Sequence, residues 1–204
     1  MIRAILPLAL AIGTAAGAGE GNRASIQQLS PTGSLQGNVL ILDQSGARGS
    51  ILTGVPLGAE ADAATQSGEG NHAYVTLTGD GATAQLLQAG NTNSATILAA
   101  TAATASLSQI GLGNAASMVL APHASALVSQ TGNGNLVSDL NVGHSGSAVL
   151  SQTGNGNDTG AITVAPGASL HYAQEGNGLG PVGAGVQVLI STAPAAISIT
   201  QTGW

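Results

Sequence analysis

Apolar and polar residues alternate along many short stretches of this chain of 204 residues. Before Gln109, for example, Ala103, Ala105 and Leu107 share one phase with Gln109, while the residues between them are Thr and Ser. Such a period of two is typical of a β-strand with one buried face. After Asn114 the same alternation resumes. The pattern therefore predicts pairs of strands on either side of a short turn, each with one face toward a core.

This two-strand phrase recurs at a nearly constant spacing. Its marker is the glutamine before the turn, at Gln44, Gln66, Gln88, Gln109, Gln130, Gln152, Gln174 and Gln201. In five units a glycine and then an asparagine follow at fixed distances, the asparagines being Asn71, Asn93, Asn114, Asn135 and Asn157. A fixed period of 21 or 22 residues indicates a solenoid. We therefore predict an all-β fold, a β-solenoid of about seven or eight two-strand coils, with either handedness open.

The repeated amides have a physical reason to stack. Equivalent residues of neighbouring coils lie about 4.8 Å apart, the spacing of hydrogen-bonded strands. A Gln or Asn side chain both donates and accepts, so a column of them satisfies itself where water is excluded. A simple preference of polar residues for turns explains Asn beside Gly, but not a Gln in phase with the apolar face. We predict that the Gln and Asn residues named above form structural ladders.

The N-terminal residues have the features of a secretory signal. Arg3 precedes a short apolar stretch over residues 4–14, and Ala16-Gly17-Ala18 is typical of a cleavage site. A membrane anchor is disfavoured because spanning a bilayer requires about 20 apolar residues. We therefore predict a signal peptide over 1–18, an N-terminal segment or degenerate first repeat over 19–37, and the repeat solenoid over 38–204. The mature chain is expected to pass through the periplasm and to be extracellular, without a membrane segment.

Composition excludes several classes of function. Only three residues are basic and the net charge is −6, which provides no electrostatic footprint for nucleic acid or anionic membrane. There is no Cys, and the four His residues lack the close spacing of metal ligands. A thin solenoid built largely with Ala offers no deep pocket for catalysis. We therefore expect neither an enzyme, nor a cofactor, nor a metal site.

The repeated unit resembles the curlin repeat of bacterial curli subunits, Ser-x5-Gln-x-Gly-x-x-Asn-x-Ala-x3-Gln. The resemblance covers about residues 38–203, and Ala73, Ala95 and Ala116 occupy the Ala position of that repeat. It implies an exported subunit that polymerises into amyloid-like fibres of the biofilm matrix. It also implies an outer-membrane secretion apparatus and a nucleator or major-subunit paralogue as partners. Whether this chain would be the major subunit or the nucleator stays open.

A second interpretation keeps the same fold without polymerisation. The chain would then be a soluble secreted solenoid that acts as an adhesin or binding protein. Degenerate terminal units favour this reading, because atypical end repeats hinder end-to-end growth. Against it, the sequence predicts no continuous outer column of one residue type that would mark a dedicated binding surface.

The unit also departs from the curlin pattern. The first Ser is replaced by Ala82, Ala103, Ala124 or Gly146, and the second Gln by Leu77, Ala99, Leu120, Asn141 or Thr163. One amide ladder of the family is therefore largely missing. Any fibre of this chain is expected to depend on the first ladder more than on the second.

Three acidic residues conflict with the predicted register. Glu60, Asp62 and Asp139 fall on the inward phase, where an unpaired carboxylate is costly. Either the strand is bulged at these places, or inward charge weakens the unit and restrains edge pairing. In the second case, replacing Asp139 with Val is expected to speed fibre formation.

Overall fold

The computed structural model describes residues 10–13, 21–31, 36–54, 63–181, 188–190 and 196–203. Within these ranges the chain forms strands and turns and no helix, and its strands pair in parallel into two sheets. The predicted all-β solenoid is therefore confirmed.

The two sheets face each other across the core. In spatial order the first sheet contains β1 (Leu10–Gly13), β4 (Val39–Asp43), β7 (His72–Leu77), β9 (Ser94–Ala99), β11 (Ala115–Leu120), β13 (Leu136–Val142), β15 (Ala161–Val164) and β17 (Val188–Ile190). The second sheet contains β2 (Arg23–Ala24), β5 (Ile51–Thr53), β8 (Thr83–Asn91), β10 (Thr104–Leu112), β12 (Ser125–Thr131), β14 (Ser147–Thr153), β16 (Ser169–Glu175) and β18 (Ala196–Thr202). Two short strands of the second sheet, β3 (Ile26–Leu29) and β6 (Ala64–Ser67), pair with each other, and β6 also pairs with β8.

From β6 onward, successive strands of the chain alternate between the two sheets, so each turn adds one strand to each sheet. Between Gln66 and Gln174 the chain is described without a gap and completes five turns. Further strands extend both sheets at each end, where the described residues are interrupted. The 21- or 22-residue period of the sequence is therefore the length of one solenoid turn.

The core is a thin layer between the sheets. Along β10 the residues Ala105, Leu107 and Gln109 are buried, as the alternation predicts, and the adjoining Ala103 is buried as well. Along β11 the inward residues are Ala116, Met118 and Leu120. Small and medium side chains suffice because two sheets that pack face to face lie only about 10 Å apart.

The N-terminal coil is longer than the others. Gln28 lies opposite Gln66 although 38 residues separate them. Thr53 and Thr65, twelve positions apart, pair with Gln85 and Leu87, which are two positions apart. The chain between Thr53 and Thr65 is therefore ten residues longer than the chain between their partners on β8.

Some predictions fall beyond what the structure describes. Glu60 and Asp62 lie within 55–62, outside the described residues, so their predicted burial stays a prediction. Of the predicted signal peptide only β1 is described, and it pairs in parallel with β4. Cleavage after Ala18 also stays a prediction.

Asp139 does not lie on the inward phase, and of the two alternatives that the sequence left open the structure confirms the β-bulge. The register shifts between β11 and β13, because Ala116 pairs with Val137 whereas Met118 pairs with Leu140. The extra residue is a β-bulge, which turns Asp139 to the partly exposed side of the strand. Its carboxylate accepts a hydrogen bond from the Asn141 side-chain amide at 3.1 Å. The bulge removes the basis for expecting faster fibre formation on replacement of Asp139 with Val.

Candidate functional site

A column of glutamine side chains runs along the interior, at the end of the second-sheet strands. Gln88 Nε2 donates to Gln109 Oε1 at 2.8 Å, and Gln109 Nε2 donates to Gln130 Oε1 at 2.9 Å. The same bond, at 2.6 to 2.9 Å, joins all successive members of what we call the glutamine ladder: Gln28, Gln66, Gln88, Gln109, Gln130, Gln152, Gln174 and Gln201. The six members from Gln66 to Gln174 are at most 1% exposed. The ladder is therefore excluded from water over most of its length.

The ladder also ties the two sheets together. The Nε2 of Gln109 donates a second bond to the Ser94 carbonyl at 2.9 Å, and that of Gln130 donates to the Ala115 carbonyl at 2.9 Å. Both hydrogens of each amide are thus used, as a buried amide requires. Because every Nε2 points to the following coil, the ladder has one direction along the solenoid.

Gln44 lies outside this ladder, unlike the other seven predicted glutamines. Its Nε2 donates to the carbonyls of Ser50, at 3.0 Å, and Arg23, at 3.4 Å. Gln28 lies opposite Gln66 instead, in the segment predicted to be a degenerate first repeat. The spacing of 22 between Gln44 and Gln66 is coincidental, because the additional residues after Thr53 change the register. The sequence feature that identifies Gln28 as a ladder member is the alternation of apolar and polar residues that ends at this position.

The predicted asparagines form a second column across the turn. Asn71, Asn93, Asn114, Asn135 and Asn157 are all at most 1% exposed. Most of their bonds go to backbone groups of the next coil. Asn114 Oδ1 accepts from the Asn135 backbone N–H at 3.0 Å, and Asn114 Nδ2 donates to the Gly132 carbonyl at 2.9 Å. The column therefore clamps adjacent turns to each other, and is not a continuous amide-to-amide ladder of the kind predicted.

Asn38 is a further member of this column, and the constant spacing of the motif does not identify it. Asn38 Oδ1 accepts from the Asn71 backbone N–H at 3.0 Å, and Asn38 Nδ2 donates to the Gly68 carbonyl at 3.0 Å. Asn38 follows Gln28 by ten residues, whereas Asn follows Gln by five in the regular units. Because this turn is longer, Asn38 does not fall at the spacing that the regular units predict.

The glycine between these two columns is required by contact between coils. At Gly111 φ is +127°, and an added Cβ would lie 1.9 Å from the Gly132 carbonyl oxygen. Side chains rarely adopt that backbone conformation, and the neighbouring carbonyl leaves no room for one. The Gln, Gly and Asn of the motif are therefore fixed by the same close stacking.

The position of the second family glutamine is an apolar column. Leu77, Ala99, Leu120, Val142 and Val164 lie in register and are at most 2% exposed. The expectation that Asn141 and Thr163 occupy this column is wrong, because the bulge in β13 moves Asn141 to the outer side and Thr163 on β15 pairs with Asn141. No second amide ladder is present at this position in the described coils.

The outer face of the second sheet carries hydroxyl groups in register. Ser108, Ser129 and Ser151 form one column, and Thr104, Ser125 and Ser147 form another. We call the sixteen outward residues within 83–89, 104–110, 125–131 and 147–153, on β8, β10, β12 and β14, the hydroxyl face; ten are Ser or Thr, and none is Asp, Glu, Lys, Arg or His. The serine column spans three coils, because Leu87 and Ala173 occupy the same register on β8 and β16.

Other chemistry is sparse. The rings of His123 and His144, one repeat apart in sequence, meet edge to face at 5.4 Å on adjacent coils. Among the described residues no group of three or more His, Cys, Asp or Glu could hold a metal ion. None of these residues forms a helix long and apolar enough to cross a membrane.

No protein-family model, curated protein or solved structure matches this chain. The glutamine ladder, the asparagine column and the hydroxyl face are therefore the features from which a function can be inferred.

Proposed function

We propose that this chain is a structural subunit of an extracellular curli-like amyloid fibre that grows by end-to-end β-strand templating. Such a fibre would serve the biofilm matrix and surface adhesion. The observation that carries the proposal is the pair of open ends of the glutamine ladder. Gln28 Oε1 is the only buried side-chain oxygen or nitrogen of the described residues without a hydrogen-bond partner. At the other end Gln201 Oε1 accepts from Gln174 and from the Tyr172 hydroxyl, but its Nε2 meets no acceptor among the described residues.

A second copy of the chain complements these ends. When its Gln28 end stacks on the Gln201 end of the first copy, Gln201 Nε2 donates to Gln28 Oε1 and the ladder continues. A buried polar group without a partner costs about 1–3 kcal/mol, so forming this bond favours addition. The outer strands β2, β3 and β18 contribute unpaired backbone N–H and C=O groups to the same junction. Because the two ends differ, such stacking is head to tail and gives an open filament.

The wider setting of the proposal comes from the curlin-repeat resemblance alone. It includes export through the predicted signal peptide, an outer-membrane secretion apparatus, and a nucleator or major-subunit paralogue. The sequence departs from the curlin repeat at the second Gln, so the glutamine ladder carries the stacking interaction in this proposal.

One observation favours the rival function, a soluble secreted adhesin or binding protein that does not polymerise. Arg23 is exposed on β2, the outermost short strand at the Gln28 end. A charged residue on an edge strand is a common device against unwanted strand pairing. In this alternative the end coils are caps and the solenoid stays monomeric.

One experiment on purified residues 19–204 distinguishes the fibre subunit from the soluble adhesin. We expect fibres with a cross-β reflection near 4.8 Å. Replacing Gln28 or Gln201 with Ala is expected to lengthen the lag in a dye-binding assay, because each change removes one side of the junction bond. Gln27→Ala is the matched control, since Gln27 lies on the same strand but faces outward. A monomer that persists at high concentration, or equal lags for all three variants, would contradict the proposal.

A further inference from the structure

The hydroxyl face has an apolar centre. Leu127 and Val149 are neighbours in register on β12 and β14 and are 43% and 38% exposed. Serine and threonine residues surround them. The first ionisable side chains of this outer surface lie one coil further on, where His171 pairs with Val149 and Glu175 pairs with Thr153. An apolar centre with an uncharged polar surround is the usual anatomy of a protein–protein interface.

We propose that the hydroxyl face packs against the same face of a second copy, with the two solenoid axes parallel, so that solenoids associate as lateral pairs. The pairing is related by a two-fold axis parallel to the solenoid axis, which brings the same face of both copies together. The lateral pairing depends on the proposed fibre function only as far as pairing within filaments is concerned. The same pair is expected for soluble chains.

The arrangement of side-chain sizes fits a second copy of this face. A two-fold axis along the middle of the face reverses the order of its columns. The column of Leu127 and Val149 then lies against the column of Ser129 and Ser151 of the other copy. Large side chains meet small ones on both sides, which is how paired sheets interdigitate in a dry interface.

The electrostatics also permit this partner. The hydroxyl face has no charge, so pairing with itself places no like charges together. On the next coil, the same reversal places Glu175 against Ser169 and His171 against Ala173 of the other copy. Neither residue meets its own counterpart. A charged partner protein would gain nothing from this face.

The area is sufficient for a specific contact. The contact extends beyond the hydroxyl face over β16 and β18, the next two strands of the same sheet. Six strands from β8 to β18 at about 4.8 Å, each about 23 Å long, cover roughly 660 Å² per copy. The pair would then bury about 1,300 Å², within the range of specific interfaces. In a filament the interface continues along the axis, because each added copy brings the same face.

The test measures how many chains lie side by side. In filaments of residues 19–204, scanning transmission electron microscopy gives the mass per length. We expect a value that corresponds to two solenoids side by side in each filament. Val149→Lys and Ser129→Lys, each checked for folding by circular dichroism, are expected to halve this mass without preventing filament growth. Tyr74→Lys is the control, since Tyr74 is 47% exposed on the outer face of the first sheet and should leave the mass unchanged.

The soluble chain gives a second readout that does not depend on fibres. If no filaments form, the proposed fibre function fails, yet sedimentation equilibrium of the soluble chain still tests the lateral pair. A dimer for the natural sequence and a monomer for Val149→Lys and Ser129→Lys would support the pairing. Filaments one chain wide, a monomeric soluble chain, or a Lys variant that stays paired would each overturn it.

Discussion

The two corners of each coil reverse the chain in the same direction but use sequence in opposite ways. The first corner, between a Gln and the following Asn, repeats one motif. The second corner, which leads from the first sheet to the second, has no motif. Its residue with positive φ is in turn Gly81, Ala102, His123, Ser145 and Gly167, with φ between 52° and 71°. Equivalent backbone bonds link its coils, such as His123 N–H to Thr101 O at 2.9 Å and Ser145 N–H to Pro122 O at 3.1 Å.

The difference follows from how closely the coils approach. At the first corner a Cβ on Gly111 would strike the next coil, and buried amides must find partners there. At the second corner a Cβ on Gly81 would meet nothing within 4 Å. The position with positive φ is therefore restricted at the first corner and open at the second, although Gly79 and Gly143 of the second corner also lie close to the next coil.

The largest expected effect is at the first corner. Gly111→Ala is expected to lower the free energy of unfolding by about 2–6 kcal/mol, since positive-φ strain and overpacking cost about 1–3 kcal/mol each. Gly81→Ala at the open second corner is expected to cost only about 1–2 kcal/mol. Denaturant unfolding of both variants measures the difference. Equal losses would show that the two corners are not under different constraints.

The next effect tests the glutamine ladder itself. Gln109→Leu keeps the size of the side chain but leaves Gln130 Oε1 buried without its donor, which is expected to cost about 1–3 kcal/mol. Ser108→Ala, on the outward side of the same strand, is expected to stay within about 0.5 kcal/mol of the natural chain. Thermal and denaturant unfolding would compare them. An unchanged unfolding midpoint for Gln109→Leu would mean that the ladder does not stabilise the coil.

A small effect is expected at the second corner. His123→Gly relieves left-handed strain of about 1–2 kcal/mol but adds backbone freedom to the unfolded chain, worth about 0.5–1 kcal/mol. Loss of the ring contact with His144 adds a further opposing contribution. The stability should therefore stay within about 1 kcal/mol of the natural chain. A larger loss in calorimetry would reveal a side-chain requirement at this corner.

The smallest effect concerns pH at the second corner of the N-terminal coil. Hydrogen bonds from Ser45, including its backbone N–H at 2.8 Å, hold the pKa of Asp43 below its usual value of 3.8. A folded-state pKa that is depressed contributes stability above the unfolded-state pKa, and this is lost as the pH falls through the folded-state value. The carboxylate is solvent-screened, so the contribution should be below about 0.5 kcal/mol. Unfolding of Asp43→Asn and the natural chain should therefore converge at acid pH, and a gap that widens there would contradict this.

The sequence was informative where the coils are regular and misleading where they are not. In the middle coils the constant spacing identified each ladder glutamine and each clamping asparagine. At the N-terminus the same spacing selected Gln44 and passed over Gln28 and Asn38. Extra residues between paired positions leave the parallel pairing of the strands intact but change every distance counted along the chain. Spacing alone cannot tell a strand residue from an inserted one.

Asp139 lies at a second irregularity, a β-bulge, which was one of the two alternatives that its inward phase left open. Its phase was counted from Asn135 with a strict period of two, and one bulged residue reverses that phase for the rest of the strand. The same shift exchanges Asn141 for Val142 in the inward column. The energetic conflict of a buried carboxylate was the available signal, and the bulge is the alternative that resolves it.

The sequence by itself determined the period, the all-β class, the two strands per coil and the inward phase of the regular units. These are local properties, because alternation and turn residues act within one coil. Only the tertiary structure decided which coils lie opposite each other, that the asparagines clamp backbone groups, that the glutamine ladder has a direction, and that serines stack on an outer face. Each of these depends on register between coils, which is set by packing between residues that are 20 or more positions apart.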